Sequence, residues 1–170
     1  MDREEPAIRA WSHFLGAHAL ALAAIEAKLK AAGEPPFAWY DLLLELERAG
    51  GRLRIGELGE RLVVEPYNVT RLLDRLEREG LLTRRRAPGD GRGAFAVLSE
   101  KGTVLRKRMW PHYRRAILEV FGEALSRREA EAMIAALKKV IAHLRGQAEI
   151  ESPSRARSVV DVERDVERRR

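Results

Sequence analysis

From Pro6 to Ala32 the bulky positions Ile8, Trp11, Leu15, Leu22, Ile25 and Leu29, with His18 completing the series, recur at alternating steps of three and four. That spacing draws one seam along a long helix. Gly33 ends it, and Pro35-Pro36 separates it from a second helix over Phe37 to Arg48, which stops at Gly50-Gly51. The pattern then tightens. Arg52 to Arg54 reads as a short strand, and Ile55 to Leu62 as a short helix with Ile55, Leu58 and Leu62 inward. A turn of a few residues leads to Pro66, and proline is favoured at the first position of a helix. In the helix that follows, Val69, Leu72, Leu73 and Leu76 form the apolar stripe, and Gly80 supplies the C-terminal stop.

The next stretch is not helical. Leu81 to Ala87 and Ala94 to Leu98 read as two strands around the turn cluster PGDGRG. Two short helices joined by a tight turn, then a hairpin with a basic tip, form the layout of a winged helix. Ser99 is placed to cap a long helix through Leu105, Met109, Tyr113, Ile117 and Phe121, with Pro111 as a candidate kink. Ser126 is placed to cap a last helix, in which Ala130, Met133, Leu137, Val140, Ile141 and Leu144 are mostly inward. After Gly146 bulky apolar residues become scarce, so residues 147–170 read as a charged tail, disordered or peripheral.

Composition narrows the function classes. The chain has 170 residues, 45% of them hydrophobic, enough for one compact domain with a real core and an added segment. Its net charge of +6 brings polyanionic partners forward. With no cysteine, disulfides, thiol redox sensing, Cys nucleophiles and Cys-ligated zinc are all excluded. The N-terminus MDREEP is acidic where a secretory signal is basic, and no apolar run is long enough to span a membrane. A cytoplasmic protein is the expectation.

Candidate chemistry favours binding over catalysis. His13, His18, His112 and His143 fall in no metal-ligand spacing, no Gly-rich phosphate loop precedes a helix, and the carboxylates alternate with arginines as solvated pairs do. No catalytic residue, metal or cofactor is expected. On the helix from Pro66, by contrast, Tyr67, Asn68, Thr70 and Arg71 lie in the first turns, where a recognition helix makes its base contacts. Asn pairs bidentately with adenine and Arg with guanine, whereas Tyr and Thr serve phosphate or a thymine methyl. Arg75 can pair with Asp74 or Glu79 or face DNA, and Arg78, beside Glu77 and Glu79, reads as plain surface. Arg84, Arg85, Arg86 and Arg92 concentrate positive charge on the hairpin. Arg92, at its glycine-rich tip, has little to pack against and suits a narrow minor groove. The expected DNA-contact set is therefore Tyr67, Asn68, Thr70, Arg71, Arg75, Arg84, Arg86 and Arg92. Trp11, His18, Trp39, Tyr40, Trp110 and Tyr113 read singly as core or interface. Together they could line an apolar pocket for a small aromatic ligand.

The segments WYDLLLELERAGGRLRIGELGERL, PYNVTRLLDRLEREGLLTRR and PGDGRGAFAVLSEKG, between long flanking helices, resemble the MarR family of bacterial transcription regulators from Ala7 to Gly146. The most specific parts are VTRLLDRLEREGLL and the wing pattern Asp90, Arg92, Val97, Leu98, Ser99 and Gly102. EPYN departs from the family's serine-rich start to the recognition helix, and Ser99 stands where a threonine is usual. The resemblance implies a mainly α fold: a winged helix-turn-helix with a small β-hairpin wing over residues 35–99, and dimerisation helices over 1–34 and 100–146. It further implies a homodimer on a palindromic operator in double-stranded DNA. A repressor released by a small, often aromatic, effector is the expected function. A winged-helix architectural or protein-interaction module without ligand control is the alternative.

Overall fold

The computed structural model describes residues 4–62, 66–86 and 94–151, without the side chains of 60, 66–68 and 148–151. The elements follow in the order α1 (Glu4–Ala31), α2 (Phe37–Arg48), β1 (Arg52–Arg54), α3 (Ile55–Arg61), α4 (Pro66–Arg78), β2 (Leu82–Arg86), β3 (Ala94–Leu98), α5 (Glu100–Ile117) and α6 (Arg127–Glu151). A π-helical turn, Leu118–Gly122, continues α5. This is the mainly α, winged helix-turn-helix class that the apolar periodicity predicts.

The sheet has the order β1-β3-β2, with both pairings antiparallel. Alternation along the strands sets its faces. Leu53, Leu82 and Ala96 are buried inward, and Phe95, Val97, Thr83 and Arg85 stand on the other side with Arg52 and Arg54. The inward face closes on Leu42, Leu43 and Leu46 of α2, Leu58 of α3, and Val69, Leu73 and Leu76 of α4. Each fully buried leucine contributes about 2 kcal/mol, so this layer holds the two short helices against the sheet.

Helix α2 is the centre of the molecule. One side belongs to that core, and the other presents Tyr40 and Leu44 to Met109 of α5. A third cluster joins Ile25 and Leu29 of α1 to Ala116 of α5. Only the C-terminal half of the α1 seam is buried in this way. Along its N-terminal half Ile8 is 57% and Trp11 60% exposed, and on α6 Val140 is 54% and Leu144 56% exposed. The expectation that Val140 and Leu144 are inward does not hold within one chain: α6 leaves the domain and packs little of itself on it.

Helix α6 also runs through Gly146 to Glu151, beyond the boundary expected at Gly146. One glycine costs a helix only about 1 kcal/mol, and Arg145, Gln147, Ala148 and Glu149 around it favour helix. The rest of the expected tail, 152–170, lies outside the described residues.

Candidate nucleic-acid interface

Tight local geometry holds the helix-turn-helix and the wing together. Helix α4 ends where Gly80 adopts φ 71° and the Leu81 N–H donates to the Leu76 carbonyl at 2.9 Å. This C-terminal motif needs a residue without a Cβ penalty. Ser99 then performs two tasks. Its Oγ accepts the Gly102 N–H at 3.0 Å, capping α5, and donates to the Gly80 carbonyl at 2.8 Å. The turn after α4 is thereby drawn onto the first turn of α5. There a Cβ on Gly102 would stand 2.2 Å from the Leu81 carbonyl oxygen, so glycine is demanded by contact rather than by φ.

On α4, Val69, Leu73 and Leu76 are buried and Thr70, Arg71, Asp74, Arg75 and Arg78 are exposed. The arginines of this region have different tasks. Arg84 reaches back from β2 to pair with Asp74, and its Nε lies 3.2 Å from Glu77 Oε2. Its backbone N–H also donates to Glu77 at 2.8 Å. Arg84 thus ties the wing strand to α4. Arg75 packs on neither Asp74 nor Glu79 but over the Trp39 ring, 5.3 Å from its centroid. Arg78 donates to the Asp74 carbonyl at 3.3 Å. Arg86 is exposed at the far end of β2, and Thr70 and Arg71 occupy the early turns of α4. The side chains of Tyr67 and Asn68, and Arg92 entirely, lie outside the described residues.

The six residues expected around a ligand do not converge on one pocket. Trp39 is buried in the winged-helix core. Tyr40 and Trp110 stack with ring centroids 6.2 Å apart, in a cluster where Tyr113 lies 4.8 Å from Tyr40 and 5.1 Å from Phe37. Burial, with Tyr40 and Asp41 close by, pushes the Tyr113 hydroxyl up to about 12. His18 and Tyr113 do share a feature: both line an open groove of about 610 Å³ between α1, α5 and α6, with Phe14, Phe37, Phe121 and Met133 among its walls. Trp11 stands beyond it, its ring 6.1 Å from Phe14. The walls are almost wholly apolar. Sequence periodicity could not have sorted these rings, because each occupies a helix position that suits core, groove or interface equally.

Among the described residues no group of three or more His, Cys, Asp or Glu could hold a metal ion. Among them, too, no helix is long and apolar enough to cross a membrane.

A helix-turn-helix locked to a basic hairpin, with Thr70, Arg71 and Arg75 of its second helix exposed to solvent, defines a winged-helix protein of the nucleic-acid-binding type. Comparison with known proteins makes the class specific. The MarR_2 family model (MarR family) matches residues 35–93, from Pro35 to the wing. The chain is 35% identical over 101 residues to the uncharacterised HTH-type transcriptional regulator YkoM of Bacillus subtilis (strain 168), covering 59% of this chain and 65% of that protein. It is 32% identical over 98 residues to the HTH-type transcriptional regulator MhqR of the same organism, covering 58% and 67%. The match therefore spans about two thirds of either relative. Among solved structures, Sco3205, a MarR family transcriptional regulator from Streptomyces coelicolor in complex with DNA, superposes with a TM-score of 0.68. It is 24% identical, with 82% of this chain and 87% of that one covered. The chain belongs to the MarR family, a family of transcription regulators and not of enzymes.

Proposed function

We propose that the protein is a homodimeric, DNA-binding transcription regulator of the cytoplasm, a repressor that leaves its palindromic operator when a small aromatic ligand binds. The observation that carries the dimer is the unpartnered apolar surface. The exposed residues Ile8, Trp11, Phe14 and Leu15 of α1, and Ile134, Val140 and Leu144 of α6, are too many large side chains for a monomer's solvated face. A second copy laid on α1 and α6 covers them. In that reading residues 1–34 and 100–146 supply dimerisation, and 35–99 supply the DNA-binding unit.

DNA recognition then falls to the early turns of α4, with Tyr67, Asn68, Thr70 and Arg71 as readers, Arg86 and Arg92 as backbone or groove contacts, and Arg84 as the brace behind them. Two such helices must stand about 34–36 Å apart to enter successive major grooves. The ligand proposal rests on the apolar groove, whose lining includes His18 and Tyr113. An occupant wedged between α1 and α5 would change that separation, so ligand and operator would weaken each other reciprocally.

Selection of duplexes from a random pool by the purified protein tests this reading. The expected product is an inverted repeat with half-sites about one helical turn apart, bound by a particle of twice the chain mass. An architectural module would instead enrich no sequence and be displaced equally by any duplex. A monomer on the selected DNA would sink the dimer.

A further inference from the structure

The outward face of the three-stranded sheet is unlike the face that α4 covers. On the inner side Arg84, which shares that face of β2 with Arg86, is met by Asp74 and Glu77. On the outer side the six residues in register are Arg52 and Arg54 of β1, Phe95 and Val97 of β3, and Thr83 and Arg85 of β2. Three are arginines and none is acidic. All three arginines are exposed.

Their arrangement is ordered by the ring between them. The Arg52 guanidinium lies 3.8 Å from the Phe95 centroid and that of Arg54 lies 5.1 Å from it. Arg85 is the direct cross-strand partner of Phe95 on the opposite side. Stacking on an aromatic face restrains a guanidinium, here that of Arg52, while leaving its N–H fork available at the edge.

The position of the row tells which anion. Arg54, Phe95 and Arg85 stand one rung from Arg86 and Ala94, the last described rung before the wing turn. Arg54 is also the N-cap residue of α3, the first helix of the helix-turn-helix. The patch therefore begins where the reading unit and the wing meet, on the side of the sheet away from α4. In the DNA-binding reading, a duplex that passes α4 and continues past the wing would meet this face next. We propose that Arg52, Arg54 and Arg85 form a second phosphate-contact surface, which grips the DNA backbone outside the half-site read by α4. The backbones of β1 and β2 stand roughly 10 Å apart across β3, a gap that long arginine side chains can close onto neighbouring phosphates. The contact carries no base information, so it lengthens the footprint and strengthens binding without narrowing the sequence.

This proposal rests on the DNA-binding reading, and its test separates the two. Fluorescence anisotropy would compare the selected duplex trimmed to its inverted repeat with the same duplex extended on both sides by almost a helical turn of random sequence. Wild type and the double variant Arg52→Gln/Arg85→Gln are titrated on each across a range of salt. Wild type is expected to bind the extended duplex about tenfold more tightly. Its salt slope there should be steeper than the variant's by about 2 per winged helix, close to one counterion released per arginine. The variant should match wild type on the trimmed duplex, which also shows that it is folded, and gain nothing from the flanks. Wild type gaining nothing from the flanks overturns the proposal while leaving the DNA-binding reading intact. So does a variant that keeps the gain, as it would if the patch served an acidic protein instead. Failure of wild type on both duplexes sinks the DNA-binding reading itself, and this surface with it.

Discussion

Gly102 shows how little room separates the two halves of the molecule. The first turn of α5 lies against the backbone after α4, with Leu98 Cδ1 at 2.9 Å and Leu43 Cδ2 at 3.1 Å from the site of an added Cβ, besides the Leu81 carbonyl at 2.2 Å. The two leucine ends can rotate away, but the carbonyl belongs to backbone already held by the Ser99 N–H at 3.1 Å. Gly102→Ala is therefore expected to lose about 3 kcal/mol, read as a lower urea midpoint at unchanged slope. An alanine variant as stable as wild type would mean that the contact is looser than it looks. Arg106 is another residue that joins the halves. Almost fully buried on α5, it meets Glu47 of α2 at 2.6 Å, a charged tie between α5 and the winged helix.

At the scale of elements, α6 begins with a reciprocal cap. The Ser126 N–H donates to Glu129 Oε2 at 2.8 Å, and the Glu129 N–H donates to Ser126 Oγ at 3.4 Å. The pairing is the S-x-x-E capping box. Hydrogen bonds from the Ser126 hydroxyl and backbone hold the Glu129 carboxyl below its usual range. A carboxyl depressed in the folded state contributes stability above its unfolded value of 4.5 and loses it as pH falls through the folded value. Helicity at the start of α6, followed by circular dichroism, should thus decline in acid. Glu129→Gln should remove most of that pH dependence, and a variant that titrates like wild type would show that the cap does not govern the fraying. Helix α4 teaches the complementary lesson. Its apolar stripe, its proline start and its glycine stop were legible, because each is a local signal. The destinations of its arginines were not. Arg75 goes to Trp39, and Asp74 with Glu77 receives Arg84, and these partners come from other elements.

For the whole molecule, the exposed half of the α1 seam is where the proposed dimer is tested. Trp11→Glu places a charge among Ile8, Phe14 and Leu15, far from the winged-helix core. The expected result is a folded monomer in sedimentation, with operator affinity reduced at least about a hundredfold, because each half-site then binds alone. A dimer of undiminished affinity would move the interface off α1. The variant should keep its thermal transition for the winged helix, since none of that core rests on Trp11.

What the amino-acid sequence determined by itself is the order and kind of the elements. Helix periodicity, strand alternation, Ser99, Ser126, Gly33 and Gly80 act over a few residues, and local physics suffices to read them. The bounds of α2 and β3 are those the pattern predicts. Tertiary structure alone decided how residues of equal local character divide their tasks. The aromatic residues separate into a buried core member, Trp39, a packed cluster, Tyr40 and Trp110, a groove lined by His18 and Tyr113, and an exposed Trp11. The arginines of the sheet divide the same way. Arg84 turns inward to carboxylates on α4, whereas Arg52, Arg54 and Arg85 share an outward face with Phe95. No window along the chain contains that division, because it depends on strand register and on which helix covers which side.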